Sequence, residues 1–127
     1  MKKKTKKIKI LVVDDEYAFC RSLKIFLEKI GFEALIATNG EHALDIVSEE
    51  KPAIMTLDIR MPGLNGYDIL QKVKRLHPDL FIVVITAIDV PKMDEMLEHS
   101  GAHALLHKPI DLQKLSDTLY GFIGHLL

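Results

Sequence analysis

The sequence predicts an α/β protein with a doubly wound, five-stranded parallel sheet of strand order 2-1-3-4-5 and helices on both faces. Short β-like runs alternate strictly with segments of helical periodicity, which favours successive β-α-β units. The β-like runs are apolar throughout, as is typical of parallel strands that are buried on both faces. Right-handed crossovers between such strands give an open sheet.

The first half of the chain contributes three strands and two helices. Apolar runs predict strands over residues 8–13, 34–37 and 54–57, with the second strand at an edge of the sheet. Helices are predicted over about 16–30 and 41–48, because apolar residues recur there on one face. The inward residues are Phe19, Leu23, Phe26, Leu27 and Ile30 in the first helix and Ala43, Leu44 and Val47 in the second. The boundaries between these elements are Gly31, Asn39-Gly40 and Pro52.

The second half contributes two further strands and three helices. Strands are predicted over residues 81–85 and 104–106, and helices over about 67–76 and 92–99. The last helix is predicted to open after Pro109. Asp111 is its expected N-cap, and its inward residues are Leu112, Leu115, Leu119 and Phe122.

Composition indicates one cytoplasmic globular domain. Of 127 residues, 48% are hydrophobic and 28% are charged, which is sufficient for a core and too apolar for a disordered chain. The net charge of -1 gives no general attraction to nucleic acid. The single cysteine, Cys20, excludes an internal disulfide and fits a reducing compartment. No apolar stretch approaches the roughly 20 residues of a membrane span.

Residues 1–7 form a basic N-terminal tail, and residues 8–127 are predicted to form the domain. The lysines of the tail could contact nucleic acid or a membrane surface. No aromatic residue interleaves with them, so we favour a solvated tail and expect neither a direct nucleic-acid partner nor a membrane partner.

Reactive side chains follow four of the five predicted strands. The first strand runs into Asp14-Asp15-Glu16, the third ends in Asp58, the fourth in Thr86 and the fifth in His107-Lys108. Ligand sites of open α/β sheets lie at the carboxyl ends of the strands, where the strand order reverses. With order 2-1-3-4-5 this point lies between the first and third strands, so we expect these side chains to converge there.

The chemistry of this set favours phosphoryl transfer. Three carboxylates at close range repel one another and require a cation. Oxygen ligands suit Mg²⁺, whereas zinc would prefer cysteine or histidine. Lys108 supplies a point charge for a phosphoryl oxygen, and Thr86 supplies a hydroxyl donor. Asp58 would then be tolerated at a strand end as a carboxylate that accepts a phosphoryl group.

Four motifs resemble those of response-regulator receiver domains of bacterial two-component signalling. They are VVDDE at 12–16, LDIRMPGLNGYD at 57–68, ITA at 85–87 and HKP at 107–109. The resemblance covers residues 8 to about 123 and implies the same flavodoxin-like fold, as found in chemotaxis regulators. It implies that Asp58 accepts a phosphoryl group from a histidine kinase or a histidine phosphotransfer protein.

The resemblance also implies roles for the remaining site residues. Mg²⁺ would be held by Asp58, by Asp15 directly, by Asp14 largely through water and by the backbone carbonyl of Arg60. Thr86 would move toward the phosphoryl oxygen, and Lys108 would pair with it. The Lys108-Pro109 peptide bond is expected to be cis.

Phosphorylation in such domains alters the surface formed by the fourth helix, fifth strand and fifth helix. That surface would bind a downstream protein or an output domain, and it also allows a dimer. Leu105 stands where the family usually carries Tyr or Phe, so this residue places the output coupling in doubt.

Two other functions remain open. A receiver-like interaction module that is not phosphorylated would act through its surface alone, and Leu105 mildly favours it. An aspartate-nucleophile phosphatase would act on external substrates, but such enzymes usually place a second Asp two residues after the nucleophile. Arg60 occupies that position, so we expect a signalling domain and not an enzyme acting on other molecules.

The spacing of His99, His103 and His107 would give a metal ladder on one helix. Gly101 interrupts that segment, which passes from a helix end into a strand, so we do not expect the three side chains to share a face.

Overall fold

The computed structural model describes residues 7–61, 64–87, 95 and 99–126. In chain order the elements are β1 (Lys9–Val13), α1 (Tyr17–Lys29), β2 (Glu33–Ala37), α2 (Gly40–Glu50), β3 (Ile54–Leu57), β4 (Arg60–Met61), β5 (Leu64–Asn65), α3 (Gly66–Leu76), β6 (Phe81–Thr86), β7 (Ala104–His107) and α4 (Leu112–Leu126). The two-residue strands β4 and β5 form a small antiparallel hairpin of their own.

The main sheet has the order β2-β1-β3-β6-β7, and all of its strand pairs are parallel. The predicted fold class and the predicted order 2-1-3-4-5 are therefore confirmed. Val13 pairs with Leu57 across β1 and β3, and Thr86 pairs with His107 across β6 and β7. This register brings the four reactive strand ends to one edge of the sheet.

Two hydrophobic layers enclose the sheet, because alternate residues of a strand point to opposite faces. One layer joins the sheet to α2 and α3 and is built from residues such as Leu11, Leu57, Val47 and Leu70. The other joins it to α1 and α4 and includes Val12, Val83, Leu27 and Leu119. The sheet is therefore covered on both faces, as its continuous apolar strands predict.

Most predicted boundaries agree closely with the structure. Each strand of the main sheet begins and ends within one residue of its prediction, whereas the β4–β5 hairpin was not predicted. Asp111 caps α4, since its Oδ1 accepts from the backbone N–H groups of Gln113 and Lys114 at 2.9 and 3.2 Å. Burial of Leu112 was a wrong prediction: the residue is 41% exposed, because the first turn of α4, where it lies, leaves it open to solvent.

Two predicted segments fall largely outside the described residues. Residues 1–6 of the basic tail lie outside them, and Lys7 is exposed. Most of the predicted helix over 92–99 also lies outside, although Glu95 and His99 are helical. Among the helices that the structure describes, none is both long and apolar enough to cross a membrane.

Candidate functional site

Two carboxylates are buried side by side at the carboxyl edge of the sheet. Asp14 follows β1 and is 1% exposed, and Asp58 follows β3 and is 7% exposed. The backbone N–H of Asp58 donates to the carbonyl of Val13 at 3.0 Å, which continues the pairing of the two strands up to the acids. Because an unpaired buried charge is strongly unfavourable, this arrangement requires compensating groups.

The two carboxylates have the same hydrogen-bond pattern. Oδ1 of each accepts from the backbone N–H two residues later, which belongs to Glu16 for Asp14 and to Arg60 for Asp58, at 2.9 Å in both cases. Oδ2 of each accepts from Nζ of Lys108, at 2.7 Å for Asp14 and 3.0 Å for Asp58. The local turn thus orients each carboxylate, and the two carboxylates share one ammonium group, which leaves one negative charge uncompensated.

Lys108 is positioned by the end of β7. Its backbone N–H donates to the carbonyl of Thr86 at 2.9 Å, and the Lys108-Pro109 peptide bond is cis. Burial disfavours the ammonium form, but the hydrogen bonds and charges of Asp14 and Asp58 outweigh burial and raise the pKa of Lys108. Lys108 is therefore a cation throughout the neutral range.

Thr86 presents an unsatisfied hydroxyl at the same edge. Its side chain is fully buried, and its Oγ1 has no hydrogen-bond partner among the described residues. Leaving a buried polar group unpaired costs about 1–3 kcal/mol. The end of β6 therefore supplies a hydroxyl that an incoming oxygen atom could satisfy.

An oxygen-rich cluster lies next to Asp14. Carboxylate oxygens of Asp14, Asp15 and Glu16 all lie within 4.8 Å of one another, and Asp15 and Glu16 are exposed. Every donor in this cluster is a hard oxygen, so the set fits Mg²⁺ and does not fit zinc. Glu16 belongs to this cluster although it is not among the predicted ligands, and the Asp-Asp-Glu run is its only signal in the sequence.

The backbone after Asp58 folds back on itself through a glycine. Arg60 pairs with Asn65 in the β4–β5 hairpin, and Gly66 donates its N–H to the carbonyl of Ile59 at 3.2 Å. A Cβ at Gly66 would lie 2.5 Å from Cα of Ile59. Only glycine permits this close approach, so Gly66 fixes the segment that carries Arg60 beside the acids.

Two neighbours of the site have structural roles. Cys20 is buried, its Sγ lies 3.3 Å from the carbonyl of Asp14, and burial followed by the charge of Asp14 raises its pKa to about 11. The thiol is therefore protonated at neutral pH. Leu105 is half-buried in β7 and packs against the core layer beneath α2 and α3.

The three spaced histidines do not form a metal-binding group in the part of the chain that the structure describes. His103 precedes β7, and its Nδ1 accepts from the backbone N–H of Ile82 at 3.1 Å. His107 ends β7, and His99 belongs to a helical segment.

Comparisons with known proteins agree with this geometry. Residues 10–120 match the family model of the response regulator receiver domain. The chain is 32% identical over 115 residues to sporulation initiation phosphotransferase F of Bacillus subtilis, and the match covers 91% of this chain and 93% of that protein. It is 34% identical over 120 residues to the transcriptional regulatory protein ZraR of Klebsiella oxytoca, with 93% of this chain covered. That match spans only 27% of the length of ZraR.

The fold also matches solved structures. The crystal structure of a CheY-like response regulator receiver domain protein from Methanospirillum hungatei JF-1 superposes with a TM-score of 0.87 at 26% sequence identity. The match covers 94% of this chain and 96% of that chain. Since the sheet topology, the grouping of charges at its carboxyl edge and the family match all agree, the chain belongs to the response regulator receiver domains of two-component phosphorelay signalling.

Proposed function

We propose that Asp58 is the phospho-acceptor of a signalling switch that uses Mg²⁺. The donor is the phosphohistidine of a histidine kinase or of a histidine phosphotransfer protein. The observation that carries the proposal is the double contact of Lys108, whose Nζ lies 2.7 Å from Asp14 and 3.0 Å from Asp58. A half-buried cation that already contacts the acceptor carboxylate is in position to bind a phosphoryl oxygen.

Exposure distinguishes the two buried carboxylates. Asp58 is 7% exposed, whereas Asp14 is 1% exposed, and this difference favours Asp58 as the acceptor. In the transfer, an oxygen of Asp58 forms a bond to phosphorus while the phosphorus–nitrogen bond of the donor breaks. The imidazole leaves with the bonding electron pair, and hydrolysis of the acyl phosphate later resets the switch.

Asp14, Asp15, Asp58 and the backbone carbonyl of Arg60 would hold the metal ion. When bound, Mg²⁺ neutralises charge on the acids and on the phosphoryl oxygens. The donor set supports this assignment, since the oxygens of Asp14 and Asp15 lie within 4.8 Å of each other and Asp15 is open to solvent.

Lys108 and Thr86 bind the phosphoryl group after transfer. One phosphoryl oxygen replaces Oδ2 of Asp58 as an acceptor for Lys108. Another phosphoryl oxygen accepts a hydrogen bond from Oγ1 of Thr86, so this hydroxyl gains the partner that it lacks. Movement of the Thr86 hydroxyl toward the site is therefore favourable only when the phosphoryl group is present. A two-state switch requires such a dependence.

The output surface consists of the helix predicted over residues 92–99, of β7 and of α4. It binds a downstream protein, an output domain or a second copy of the chain. Leu105 is half-buried in β7, and no aromatic ring at this position turns inward on activation. Output therefore depends on Thr86 and on repacking around Leu105. The domain acts in the cytoplasm and does not process external substrates.

Intact-mass analysis after incubation with acetyl phosphate and Mg²⁺ tests the proposal. The wild type gains one phosphoryl group, Asp58→Asn gains none, and the exposed-site control Asp79→Asn behaves as the wild type. Wild type that remains unmodified under all conditions would support the unphosphorylated interaction module. Repeated turnover of unrelated phosphate esters would support the phosphatase.

A further inference from the structure

An aromatic ring covers the ammonium group of Lys108 on the side of α1. Nζ of Lys108 lies 4.4 Å from the ring centroid of Phe19. An ammonium group over a ring face at this distance is attracted by the quadrupole of the ring. We propose that Phe19 is a positioning residue that holds Lys108 in place for phosphoryl transfer, an inference that rests on the proposed function of Asp58.

The ammonium group of Lys108 has neighbours on several sides. A lysine ammonium has three N–H donors. Two of them serve Oδ2 of Asp14 and Oδ2 of Asp58, and the ring of Phe19 covers a further side. The side chain of Lys108 is only 16% exposed, so solvent has little access to it.

The ring is held firmly with respect to the acids. Phe19 is half-buried against the core layer that contains α1 and α4. The next residue, Cys20, is fully buried, and its Sγ contacts the carbonyl of Asp14 at 3.3 Å. The backbone N–H of Cys20 also donates to the carbonyl of Glu16. The first turn of α1 is thus tied to the same segment that carries the buried carboxylate.

This contact matters most when Asp58 changes its charge. During transfer, Oδ2 of Asp58 ceases to be a free carboxylate oxygen, and Lys108 exchanges that partner for a phosphoryl oxygen. The ring of Phe19 does not change, so it retains the ammonium group near Asp14 during the exchange. Leucine at position 19 would preserve apolar contact but would lack the attraction for the cation.

Nuclear magnetic resonance tests the contact without any phosphorylation. In the wild type, the ring of Phe19 shifts the ε protons of Lys108 upfield, and a Lys108→Met spectrum assigns them. Phe19→Leu removes that shift, whereas Phe19→Tyr retains it. Phe26→Leu is the matched control, because it removes a half-buried ring from the same helix and leaves Lys108 unchanged.

Phosphorylation by acetyl phosphate tests the consequence. We expect Phe19→Leu to slow the reaction about three- to tenfold, with Phe19→Tyr and Phe26→Leu near the wild-type rate. Phenylalanine analogues with increasing fluorination at position 19 should slow it progressively, because they weaken the quadrupole at nearly constant shape. Equal rates across that series, or an unchanged ε-proton shift in Phe19→Leu, would overturn the proposal. If even wild type accepts no phosphoryl group, the function of Asp58 fails, and the ε-proton shift still decides whether Phe19 holds Lys108.

Discussion

The carboxyl edge of the sheet holds charged and polar groups, whereas the amino edge holds stacked aromatic rings. At the carboxyl edge, two buried carboxylates share one lysine, and Thr86 has an unsatisfied hydroxyl. At the amino edge, Phe81 stacks between His103 and Phe122 at centroid distances of 5.0 and 4.1 Å.

The polar groups at the amino edge are paired, whereas at the carboxyl edge the hydroxyl of Thr86 has no partner among the described residues. Nδ1 of His103 accepts from the backbone N–H of Ile82 at 3.1 Å, and the backbone N–H of His103 donates to the carbonyl of Ile82 at 2.8 Å. The contacts at the amino edge therefore stabilise the fold. The carboxyl edge holds buried charges and an unpaired hydroxyl, which lower the stability of the fold. Substitutions at the two edges should separate stability from phosphorylation.

Replacing Lys108 should give the largest loss. Lys108→Met leaves two buried carboxylates without their cation, and we expect a decrease of about 3 kcal/mol in the free energy of unfolding in the absence of Mg²⁺. Urea denaturation measures this loss. Added Mg²⁺ should restore part of it, because a ligand that binds only the folded state stabilises that state.

The surface ion pair of Lys9 is the control for this prediction. Nζ of Lys9 lies 3.1 Å from Glu50, but both side chains are substantially exposed, so Lys9→Met should cost less than about 1 kcal/mol. Equal losses in the free energy of unfolding for the two substitutions would show that Lys108 stabilises the buried carboxylates no more than Lys9 stabilises an exposed one.

Phe81→Ala tests the amino edge. It removes both ring contacts of a half-buried side chain, so we expect a loss of about 2 kcal/mol. Thermal unfolding measures the loss, and phosphorylation by acetyl phosphate below the unfolding temperature should proceed at the wild-type rate. A large decrease in that rate would show that the amino edge also affects phosphorylation, contrary to this account.

Thr86→Val should stabilise the protein by about 1 kcal/mol. Valine has nearly the same shape as threonine and removes the buried hydroxyl that lacks a partner. The same variant should lose the conformational response to phosphorylation, which amide chemical shifts report. Thr56→Val, at a buried threonine inside β3, is the comparison variant. A destabilised Thr86→Val protein would contradict the account of this hydroxyl.

The smallest effect concerns pH. Burial, followed by the positive charge of Lys74, lowers the pKa of His103 below its ordinary value, and its Nδ1 already serves as an acceptor. The unfolded chain therefore binds the proton more readily, so stability is present above about pH 6.5 and falls as the pH decreases. His103→Asn should flatten this dependence in urea titrations, whereas the exposed-site control His42→Asn should not. Parallel pH profiles for wild type and His103→Asn would refute this role.

The sequence predicts the sheet well because apolar runs and helical stripes determine its elements directly. It also predicts that Asp14, Asp58, Thr86 and Lys108 meet, since the strand order dictates which strand ends are neighbours. The family resemblance adds the cis bond before Pro109, which local residue patterns do not reveal.

Other features of the site depend on three-dimensional contacts. Phe19 has the spacing of a core residue, and nothing in the sequence indicates that its ring lies over Lys108. The glycine at position 66 is visible in the sequence, but its close approach to the backbone of Ile59 is not. Leu112 has the spacing of an inward residue but is exposed in the first turn of α4, and helical periodicity does not encode this difference.

A crystal structure with Mg²⁺ and beryllium trifluoride, an acyl-phosphate mimic, tests the central claim most directly. We expect the beryllium adduct on Asp58, with Nζ of Lys108 and Oγ1 of Thr86 within hydrogen-bond distance of its fluorine atoms. An adduct on Asp14, or an adduct on Asp58 that neither Lys108 nor Thr86 contacts, would contradict the account.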